Sequence, residues 1–561
     1  MALCVCAGIA LAQVPPDAGR IQQDFERGRI PPAPPRTPAE PLIEQPARPA
    51  LRAPDNVRIP VKGFRITRNT AFREDELLPL LKEFVGKNLS LEDLQRAADV
   101  ITRHYRDRGY FVARAYVPAQ DIRDGIVEIT VLEGRIDRVS VKPIGETRLR
   151  EQVVGSVLKN ALPSNGLIRQ DDLERGLLLL NDLPGIDVRS VLQPGETLGT
   201  TNLTAQLSEG PLVSGDVDFD NYGNKFSGLY RLGMTANVND PSGYGDLASI
   251  RVQTSDGATY ARAGYAIPVG SSGLKAGASY TGTTYELCCE FAPIGARGDA
   301  QTVSLSALYP VLRSREANFY VSATYDVRHY FNATIASTTS DKRAKVGTLA
   351  GNGDFRDSVG GGALSNYTLA YSYGRLNLDA YPPDQDLDDR TARTNGNYSK
   401  AAYALARQQR LGDTFGLYGS LNGQFASKNL DSSEKFMLGG PFGVRAYPTG
   451  EAVGDDGLLA NLELRYGLQP GLQLAAFLDY GHIRLHRYEW DGWQGANTTI
   501  KNRYNLAGYG FGLSWNAPGS FSARASVAQR IGENPGRDAN GNDSDGTKDR
   551  TRFWLQAVMF F

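Results

Sequence analysis

The sequence predicts two small α+β units followed by an all-β transmembrane barrel of about sixteen antiparallel strands. Three observations predict this fold class: an apolar N-terminal segment typical of exported proteins, a strand–helix–helix–strand–strand pattern that occurs twice, and a long C-terminal stretch in which polar and apolar residues alternate. The charge balance, 61 Lys and Arg against 62 Asp and Glu in 561 residues, argues against nucleic-acid binding, which needs a basic surface. No apolar run of about 18 residues occurs in the mature chain, which excludes a transmembrane helix.

The N-terminal residues fall into three predicted segments. Residues 1–12 have the pattern of a secretory signal peptide, an apolar stretch that ends in the small-x-small sequence Ala10-Leu11-Ala12. Within residues 13–30, the polar stretch 17–30 predicts a short helix. Residues 31–56 are so rich in proline that we expect a semi-rigid extended linker and neither helix nor sheet. A helix on such a linker can dock far from its attachment point, although a disordered tail would have the same composition.

Two consecutive segments, 57–135 and 136–209, repeat the same order of elements. Ser90, with Asp93 three residues later, is the expected N-cap of a long helix in the first segment. Two copies of a unit of roughly 75 residues, each large enough for a small core, form an internal repeat. The predicted elements are strand 57–66, helices 74–85 and 91–108, strands 111–117 and 126–132, then strand 137–141, helices 148–158 and 171–183, and strands 186–192 and 202–207.

Residues 210–561 alternate between an apolar or aromatic face and a small, polar or charged face. In 472–481, for example, every second residue is apolar and faces lipid in a barrel, whereas Asp479 lies on the other face. A soluble β-sandwich would alternate in the same way. The export segment, the charges on the polar face and the alternating terminal strand from Phe553 to Phe561 favour a barrel with a wet lumen. About 350 residues, at roughly 22 per strand and connection, give about sixteen strands.

The chain has few residues suited to catalysis or metal binding. His482 and His486 are four residues apart, but in a strand or loop this spacing does not form the helical H-x-x-x-H metal site. Neither a G-x-S-x-G nucleophile motif nor a phosphate-binding loop is present. The adjacent Cys288 and Cys289 are expected to be a loop thiol pair or a strained disulfide and not a metal site. We therefore expect no catalytic, metal or cofactor site, against the alternative of a barrel hydrolase.

Several short motifs are spread along the whole mature chain. They are VPAQDI at 117–122, VLEGRI at 131–136, NDLPG at 181–185, DNYG at 220–223, NDPSGYGD at 239–246, GPFGVRAY at 440–447 and FLDYG at 477–481. In this order they resemble the two-partner secretion (type Vb) outer-membrane transporters of the haemolysin and filamentous-haemagglutinin secretion/activation type. The family usually has glycine where this chain has Ala446, and a left-handed backbone there would cost alanine about 1 kcal/mol.

The resemblance implies a complete domain organisation. The periplasmic part would consist of POTRA domains, and the barrel would lie in the outer membrane. The implied segments are a signal peptide at 1–12, a plug helix at 13–30, a proline-rich linker at 31–56, a first POTRA domain at 57–135, a second POTRA domain at 136–209 and the barrel at 210–561.

The resemblance also implies a function. A transporter of this kind captures the N-terminal secretion domain of one large partner protein by adding a strand to a POTRA sheet edge, and it exports that partner unfolded to the cell surface. The other expected partners are outer-membrane lipid, the barrel assembly machinery and periplasmic chaperones, and no nucleic acid is expected. A barrel assembly factor of the same superfamily is the alternative, but such relatives usually have more POTRA domains and lack the proline-rich spacer.

The site residues that the resemblance implies lie in a large loop and in the barrel wall. Arg445 and Asp479 would form an ion pair that anchors the loop, worth about 1 kcal/mol in a water-filled lumen. The implied groups are the loop tip Val444, Arg445, Ala446 and Tyr447, the facing strand motif Phe477, Asp479 and Gly481, and the C-terminal assembly signal Phe553 and Phe561.

Overall fold

The N-terminal segment contributes one helix and one short strand. The computed structural model describes residues 15–27, 43–44, 58–122, 124–163, 166–495, 497 and 500–561. Helix α1 (Ala18–Arg27) lies within the predicted helix 17–30, and strand β1 (Ile43–Glu44) lies within the predicted linker. The predicted signal peptide at 1–12 and the rest of the linker lie outside the described residues. None of the described helices is long and apolar enough to cross a membrane.

The first α+β unit is a three-stranded sheet packed against helix α3. Its elements are β2 (Arg58–Pro60), β3 (Gly63–Thr67), α2 (Glu74–Leu77), β4 (Asn88–Ser90), α3 (Leu91–Asp107), β5 (Arg114–Tyr116) and β6 (Ile126–Leu132). The sheet has the order β3-β6-β5, and β2 pairs with β4 apart from it. Helix α3 begins at a capping box: the Asp93 N–H donates to Ser90 Oγ at 3.1 Å, and the Ser90 N–H donates to Asp93 Oδ2 at 2.9 Å.

Two predicted elements of this unit are shorter than expected. The predicted strand 57–66 is divided at Val61, whose N–H donates to the carbonyl of Lys87. The predicted helix 74–85 is α-helical only to Leu77 and continues as a 3-10 helix over Leu78–Phe84. Pro79 explains this change, because a proline has no N–H to donate to the carbonyl four residues earlier.

The second unit repeats the pattern with a four-stranded sheet. Its elements are β7 (Arg135–Pro143), α4 (Glu151–Ala161), α5 (Gln170–Asn181), β8 (Ile186–Pro194) and β9 (Thr200–Glu209). The sheet order is β1-β8-β9-β7, so the linker strand adds to an edge, with Ile43 beside Ser190 in parallel register. This corrects the expectation that the linker forms no sheet. Strand β1 lies between Pro41 and Pro46, and its two residues therefore keep the N–H groups that an edge strand uses.

The C-terminal part is a closed antiparallel barrel of sixteen strands, which confirms the predicted fold class. Its strands are β10 (Val213–Asp220), β11 (Arg231–Asn239), β12 (Leu247–Thr254), β13 (Ala258–Pro268), β14 (Lys275–Glu286), β15 (Arg297–Arg313), β16 (Ala317–Ala333), β17 (Thr338–Asp357), β18 (Ala363–Asn377), β19 (Gly396–Leu411), β20 (Phe415–Ala426), β23 (Asp456–Gln469), β24 (Leu472–Arg484), β25 (Arg503–Ala517), β26 (Phe521–Ile531) and β27 (Thr551–Phe560). Strands β10 and β27 close the barrel, with Val217 opposite Met559. The loops contain helix α6 (Pro382–Arg390) and the paired strands β21 (Phe436–Met437) and β22 (Val453–Gly454).

The two faces of the barrel strands differ as the alternation predicts. On β24, Leu474 and Leu478 are 42% and 49% exposed on the outer face, whereas the Asp479 side chain is fully buried on the inner face. On the terminal strand, Phe553 and Phe561 lie on the outer face and are exposed. The apolar side chains therefore surround the barrel, and the polar side chains line its lumen.

The second unit packs against one arc of the barrel rim. Arg313, at the end of β15, binds the Asp182 carboxylate through Nε and Nη2 at 2.8 Å each, and Lys275 Nζ donates to the Asp182 carbonyl at 2.7 Å. Arg150 stacks on the ring of Tyr244 in the turn between β11 and β12, with 4.0 Å from Cζ to the ring centroid. Asp182 is the second residue of the NDLPG motif, so this motif docks the second unit onto the barrel.

A second ion pair in this contact is more exposed, with the side chains of Arg315 and Glu174 31% and 14% exposed. Arg315 binds Glu174 of α5 at 2.5 Å. Burial raises the pKa of Glu174, and Arg315 only partly offsets this effect. The Asp182–Arg313 pair, with side chains 10% and 1% exposed, is therefore the contact to test.

We expect Asp182→Arg to loosen the second unit from the barrel, because breaking a buried ion pair costs about 3–5 kcal/mol. Disulfide formation between cysteines placed at Asn160 and Ser271, which share a hydrogen bond at 3.4 Å, measures the docking. The yield should fall severalfold in Asp182→Arg and recover in part when Arg313→Asp is added. Asp187→Arg is the matched control, since Asp187 pairs with Arg189 within the second unit and both are exposed. Equal yields in Asp182→Arg and Asp187→Arg would contradict the assignment.

Candidate functional site

A large loop, residues 427–455 between β20 and β23, folds back into the barrel lumen. Its tip is a compact turn in which the Gly443 N–H donates to the Gly440 carbonyl at 3.0 Å and the Tyr447 N–H donates to the Val444 carbonyl at 3.1 Å. Val444 and Tyr447 are fully buried. The tip is therefore a rigid element packed against the inner wall.

Arg445 of the tip binds Asp479 of β24. The guanidinium donates through Nη2 to Asp479 Oδ1 at 2.7 Å and through Nε to Oδ2 at 2.9 Å, and the Arg445 backbone N–H donates to Oδ2 at 3.0 Å. One carboxylate thus fixes both the side chain and the backbone of the loop tip. Bidentate pairs of this kind define orientation as well as contact.

The other two residues of the strand motif create the space that the tip occupies. The Phe477 ring lies 3.4 Å from Arg445 Cζ, in a stacking contact with the guanidinium. A Cβ added at Gly481 would come within 2.7 Å of Leu438 Cδ2, a residue at the base of the tip. The structure therefore brings together all three motif residues, Phe477, Asp479 and Gly481, on the inner face beside the tip.

Ala446 fits without the strain that a left-handed backbone would impose. The backbone of Ala446 does not have a positive φ, and its side chain is fully buried. A Cβ added at Gly508 of β25 would lie 2.5 Å from the Ala446 Cβ. Strand β25 thus has a glycine, which has no side chain, at the place where the tip carries the methyl group of Ala446.

Three further residues, which the sequence does not single out, hold Arg445. Glu463 of β23 accepts from Arg445 Nη1 at 2.8 Å, Asn461 donates to Asp479 Oδ1 at 2.8 Å, and Trp554 Nε1 donates to the Arg445 carbonyl at 2.8 Å. Asn461 and Glu463 lie on the polar face of an alternating strand, and this alternation could have indicated that they face the lumen. The register that sets Asn461 opposite Asp479 could not be predicted from the sequence.

The ion pair is less solvated than the sequence predicts for a pair in a water-filled lumen. The Arg445 and Asp479 side chains are 13% and 0% exposed, because the tip itself excludes water from the wall. The estimate of about 1 kcal/mol applies to exposed pairs. Removing one partner of a buried pair costs about 3–5 kcal/mol, so the pair contributes to loop stability and not only to loop position.

Helix α1 lies inside the same lumen, beside strands β13 to β16. The Ala18 N–H donates to Asn332 Oδ1 at 2.8 Å, and Gln22 donates to Thr302 Oγ1 at 3.0 Å. Phe25 stacks on Tyr260 of the wall, with ring centroids 5.6 Å apart. The helix buries Ala18, Gly19, Ile21, Gln22, Asp24 and Phe25.

The other side of the helix contacts the loop. Gln23 donates to the Lys435 carbonyl and Arg27 to the Met437 carbonyl, each at 3.1 Å, and Arg20 binds the Gly450 carbonyl. Asp17 binds Ser432 of the loop and Lys342 of β17. The loop and the helix thus fill the lumen together, and the helix uses loop backbone as part of its seat.

No group of three or more His, Cys, Asp or Glu side chains in the described residues is arranged to hold a metal ion. Cys288 and Cys289 form a disulfide in the loop between β14 and β15. Phe553 and Phe561 lie on the outer face away from the lumen, where the Phe561 N–H pairs with the Gly215 carbonyl across the closing seam at 3.0 Å.

Comparison with known proteins gives two family matches. Residues 199–515 match "Haemolysin secretion/activation protein ShlB/FhaC/HecB", which is more than half of the chain. Residues 59–134 match the "POTRA domain, ShlB-type".

Individual relatives match over almost the full length. The heme/hemopexin transporter protein HuxB of Haemophilus influenzae (strain 86-028NP) is 28% identical over 99% of this chain and 96% of its own. The structure of CdiB from Escherichia coli has a TM-score of 0.69 at 20% identity and covers 97% of this chain and 96% of its own. The BamA structure from Haemophilus ducreyi, lacking POTRA domains 1–3, has a TM-score of 0.52 at 13% identity over 89% of this chain and 100% of its own, which shows a shared fold.

We expect Arg445→Asp to release the loop tip from the wall, because it places two carboxylates together where one ion pair was buried. Trypsin cleavage after Lys435, a residue shielded in the native protein, measures the release in outer-membrane vesicles. Cleavage should be at least tenfold faster in Arg445→Asp and in Asp479→Arg, and partly slowed again in the double swap.

The control for this experiment is Arg251→Asp, which breaks another buried lumenal pair, Arg251–Asp218 at 2.8 Å. Arg251 has its described polar contacts with β10 and β11 and none with the loop. Lys435 should stay protected in this variant. A swap that is no better than the worse single variant, or cleavage in the control as fast as in Arg445→Asp, would show that the pair does not anchor the loop.

We expect the removal of residues 17–30 to raise the single-channel conductance in planar bilayers, since the helix occupies lumen volume. Ile21→Glu should act in the same direction, because Ile21 is buried against the wall and an unpaired buried charge costs several kcal/mol. Glu26→Gln, at an exposed position of the same helix, should leave conductance unchanged. Unchanged conductance in the deletion variant would mean that the helix does not block the pore.

Proposed function

Because this chain belongs to the haemolysin secretion/activation protein family, the two-partner secretion transporters of the outer membrane, we propose that it exports one large partner protein, unfolded, through its barrel to the cell surface. The observation that carries this proposal is the content of the lumen. The two obstructions are helix α1 and the large loop. Both lie inside the lumen without being part of the barrel wall, and side-chain contacts that can be exchanged hold them there. A barrel of this size would otherwise leave an aqueous channel.

The α+β units serve as the capture surface in this proposal. We assign residues 57–135 and 136–209 to the two POTRA domains, 210–561 to the barrel and 13–30 to the plug helix. A strand from the partner's N-terminal secretion domain adds to an open sheet edge, where backbone N–H and C=O groups supply affinity. Strand β5 (Arg114–Tyr116) forms one edge of the first sheet, which makes it a suitable acceptor.

The transport step requires no chemistry from the chain. We propose that it is not an enzyme, and that folding of the exported partner outside the cell gives transport its direction. Lipid on the outer face, the barrel assembly machinery and periplasmic chaperones are the further partners we infer, the last two acting during biogenesis with Phe553 and Phe561 in the assembly signal.

The assembly-factor alternative has less support. The relatives that match over three quarters of the chain or more include HuxB, the CdiB of Dickeya dadantii and the haemolysin transporter ShlB of Serratia marcescens. BamA shares the fold at lower similarity. Two POTRA domains and a proline-rich linker that carries a lumenal helix fit the secretion branch.

We expect a variant that lacks residues 57–208 to fold its barrel and secrete no partner, because the capture surface is gone. The measurement is the amount of partner protein in the medium, with heat-modifiable gel mobility as the control for barrel folding. Normal secretion by a well-folded deletion variant would refute the capture role.

A further inference from the structure

Three basic side chains lie together on the outer face of the barrel, on two adjacent strands. Lys345 of β17 is directly opposite Arg375 of β18, and Arg343 precedes Lys345 by two residues on β17, opposite Asn377. All three are exposed. We call Arg343, Lys345 and Arg375 the cationic patch.

The patch lies on the lipid-facing side of these strands. Residues two apart on a strand share a face, and the patch continues the row of exposed apolar residues Leu349, Tyr371 and Tyr373. Opposite Lys345 on β16 is Val327, which is 42% exposed. The cations are thus on the outside of the barrel and not in the lumen.

The patch lies at the cell-surface end of the barrel. The second α+β unit contacts the ends of strands at Arg313 and Lys275, which marks the periplasmic end. Strand β17 starts at Thr338, at the other end, and its two patch residues lie in the half of the strand nearest that end. Below the patch, toward the membrane centre, the next row is Tyr325, Gly347 and Tyr373. The cations therefore sit where the apolar belt meets the head groups of the outer leaflet.

The patch differs from the rest of this boundary. At the same end of other strands several outer-face residues are uncharged, among them Thr254, Thr259, Thr284, Asn505, Gln529 and Thr551, and Arg297 lies directly opposite the carboxylate-bearing Glu286. Like charges directly opposite one another on a sheet are unfavourable. Within the described part of the chain, no carboxylate forms an ion pair with the patch. The next outer-face carboxylate of β17, Asp341, is 2.8 Å from Nε2 of His329.

We propose that the cationic patch binds the phosphate groups of a phosphorylated glycolipid in the outer leaflet. Arg375 and Arg343 offer forked donors that match phosphate oxygens, and Lys345 adds a point charge between them. The charge complementarity and the level of the patch at the head groups identify this occupant.

The row below the patch suits the acyl chains of the same lipid. Gly347 of β17 lies between Tyr325 of β16 and Tyr373 of β18. Because Gly347 has no side chain, a notch remains between the two exposed rings, which are about 10 Å apart. A chain that descends from a phosphate held by Lys345 and Arg375 meets this notch first. One lipid can therefore satisfy both rows.

Purified full-length protein in detergent, titrated with bisphosphorylated lipid A in mixed micelles, tests the proposal by thermophoresis. Lys345→Gln with Arg375→Gln should weaken binding about 25-fold, since each basic side chain near an anionic lipid changes affinity about fivefold. The matched control is Lys501→Gln with Arg503→Gln, which removes one lysine and one arginine at the same end of the barrel near β25. This control should bind lipid A like the unchanged protein.

Two further ligands separate the possible sources of phosphate. Dephosphorylated lipid A should bind the unchanged protein about as weakly as bisphosphorylated lipid A binds the double variant. Phosphatidylglycerol vesicles and inorganic phosphate should not displace lipid A at equal concentration. Equal affinity of the double variant and the unchanged protein, an equal loss in the control, or displacement by inorganic phosphate would overturn the proposal. Native gel mobility and heat-modifiability verify that each variant is folded.

Discussion

The buried pairing of Arg445 with Asp479 is the constraint on which the interior of this barrel depends. Asp479 accepts from the side chain and from the backbone of Arg445, so one carboxylate determines both the position and the direction of the loop tip. Glu463, Asn461 and Phe477 complete the site from two adjacent strands. A closed wall offers such a site only if its register is fixed, and the antiparallel ladder between β23 and β24 fixes it.

The position of the loop in turn creates the seat of helix α1. Gln23, Arg27 and Arg20 of the helix bind carbonyl groups of the loop and not its side chains. Such contacts depend on the path of the loop backbone, which the Arg445 site sets. The apolar side of the helix meets the wall at Tyr260 and Tyr330. The helix therefore lies between the rigid wall and a loop that the Arg445 site and the ion pairs of Glu434 with Arg328 and Lys400 hold in place.

The sequence predicted the barrel well because period-two alternation needs no long-range information. It also predicted the repeat of the α+β units, the capping box at Ser90 and the residues of the loop tip, whose motifs are local. It did not predict the burial of the Arg445 site, since burial follows from the tip covering the wall. The contacts of Ala18 with Asn332 and of Arg20 with Gly450 join residues hundreds of positions apart. The end of the α-helix at Leu77 could have been predicted from Pro79. The linker strand at Ile43 could not, because it forms only where the second sheet offers a free edge.

The contacts also determine an order of release. Helix α1 can leave the lumen by exchanging its contacts with Asn332, Thr302 and the loop carbonyls, and this leaves the Arg445 cluster intact. The loop cannot leave first without removing the carbonyl groups that hold the helix. The loop, in contrast, leaves only after the buried cluster is broken, and removing one partner of a buried pair costs about 3–5 kcal/mol. We therefore expect transport through this barrel to start with the release of helix α1, while the loop keeps its position on the wall.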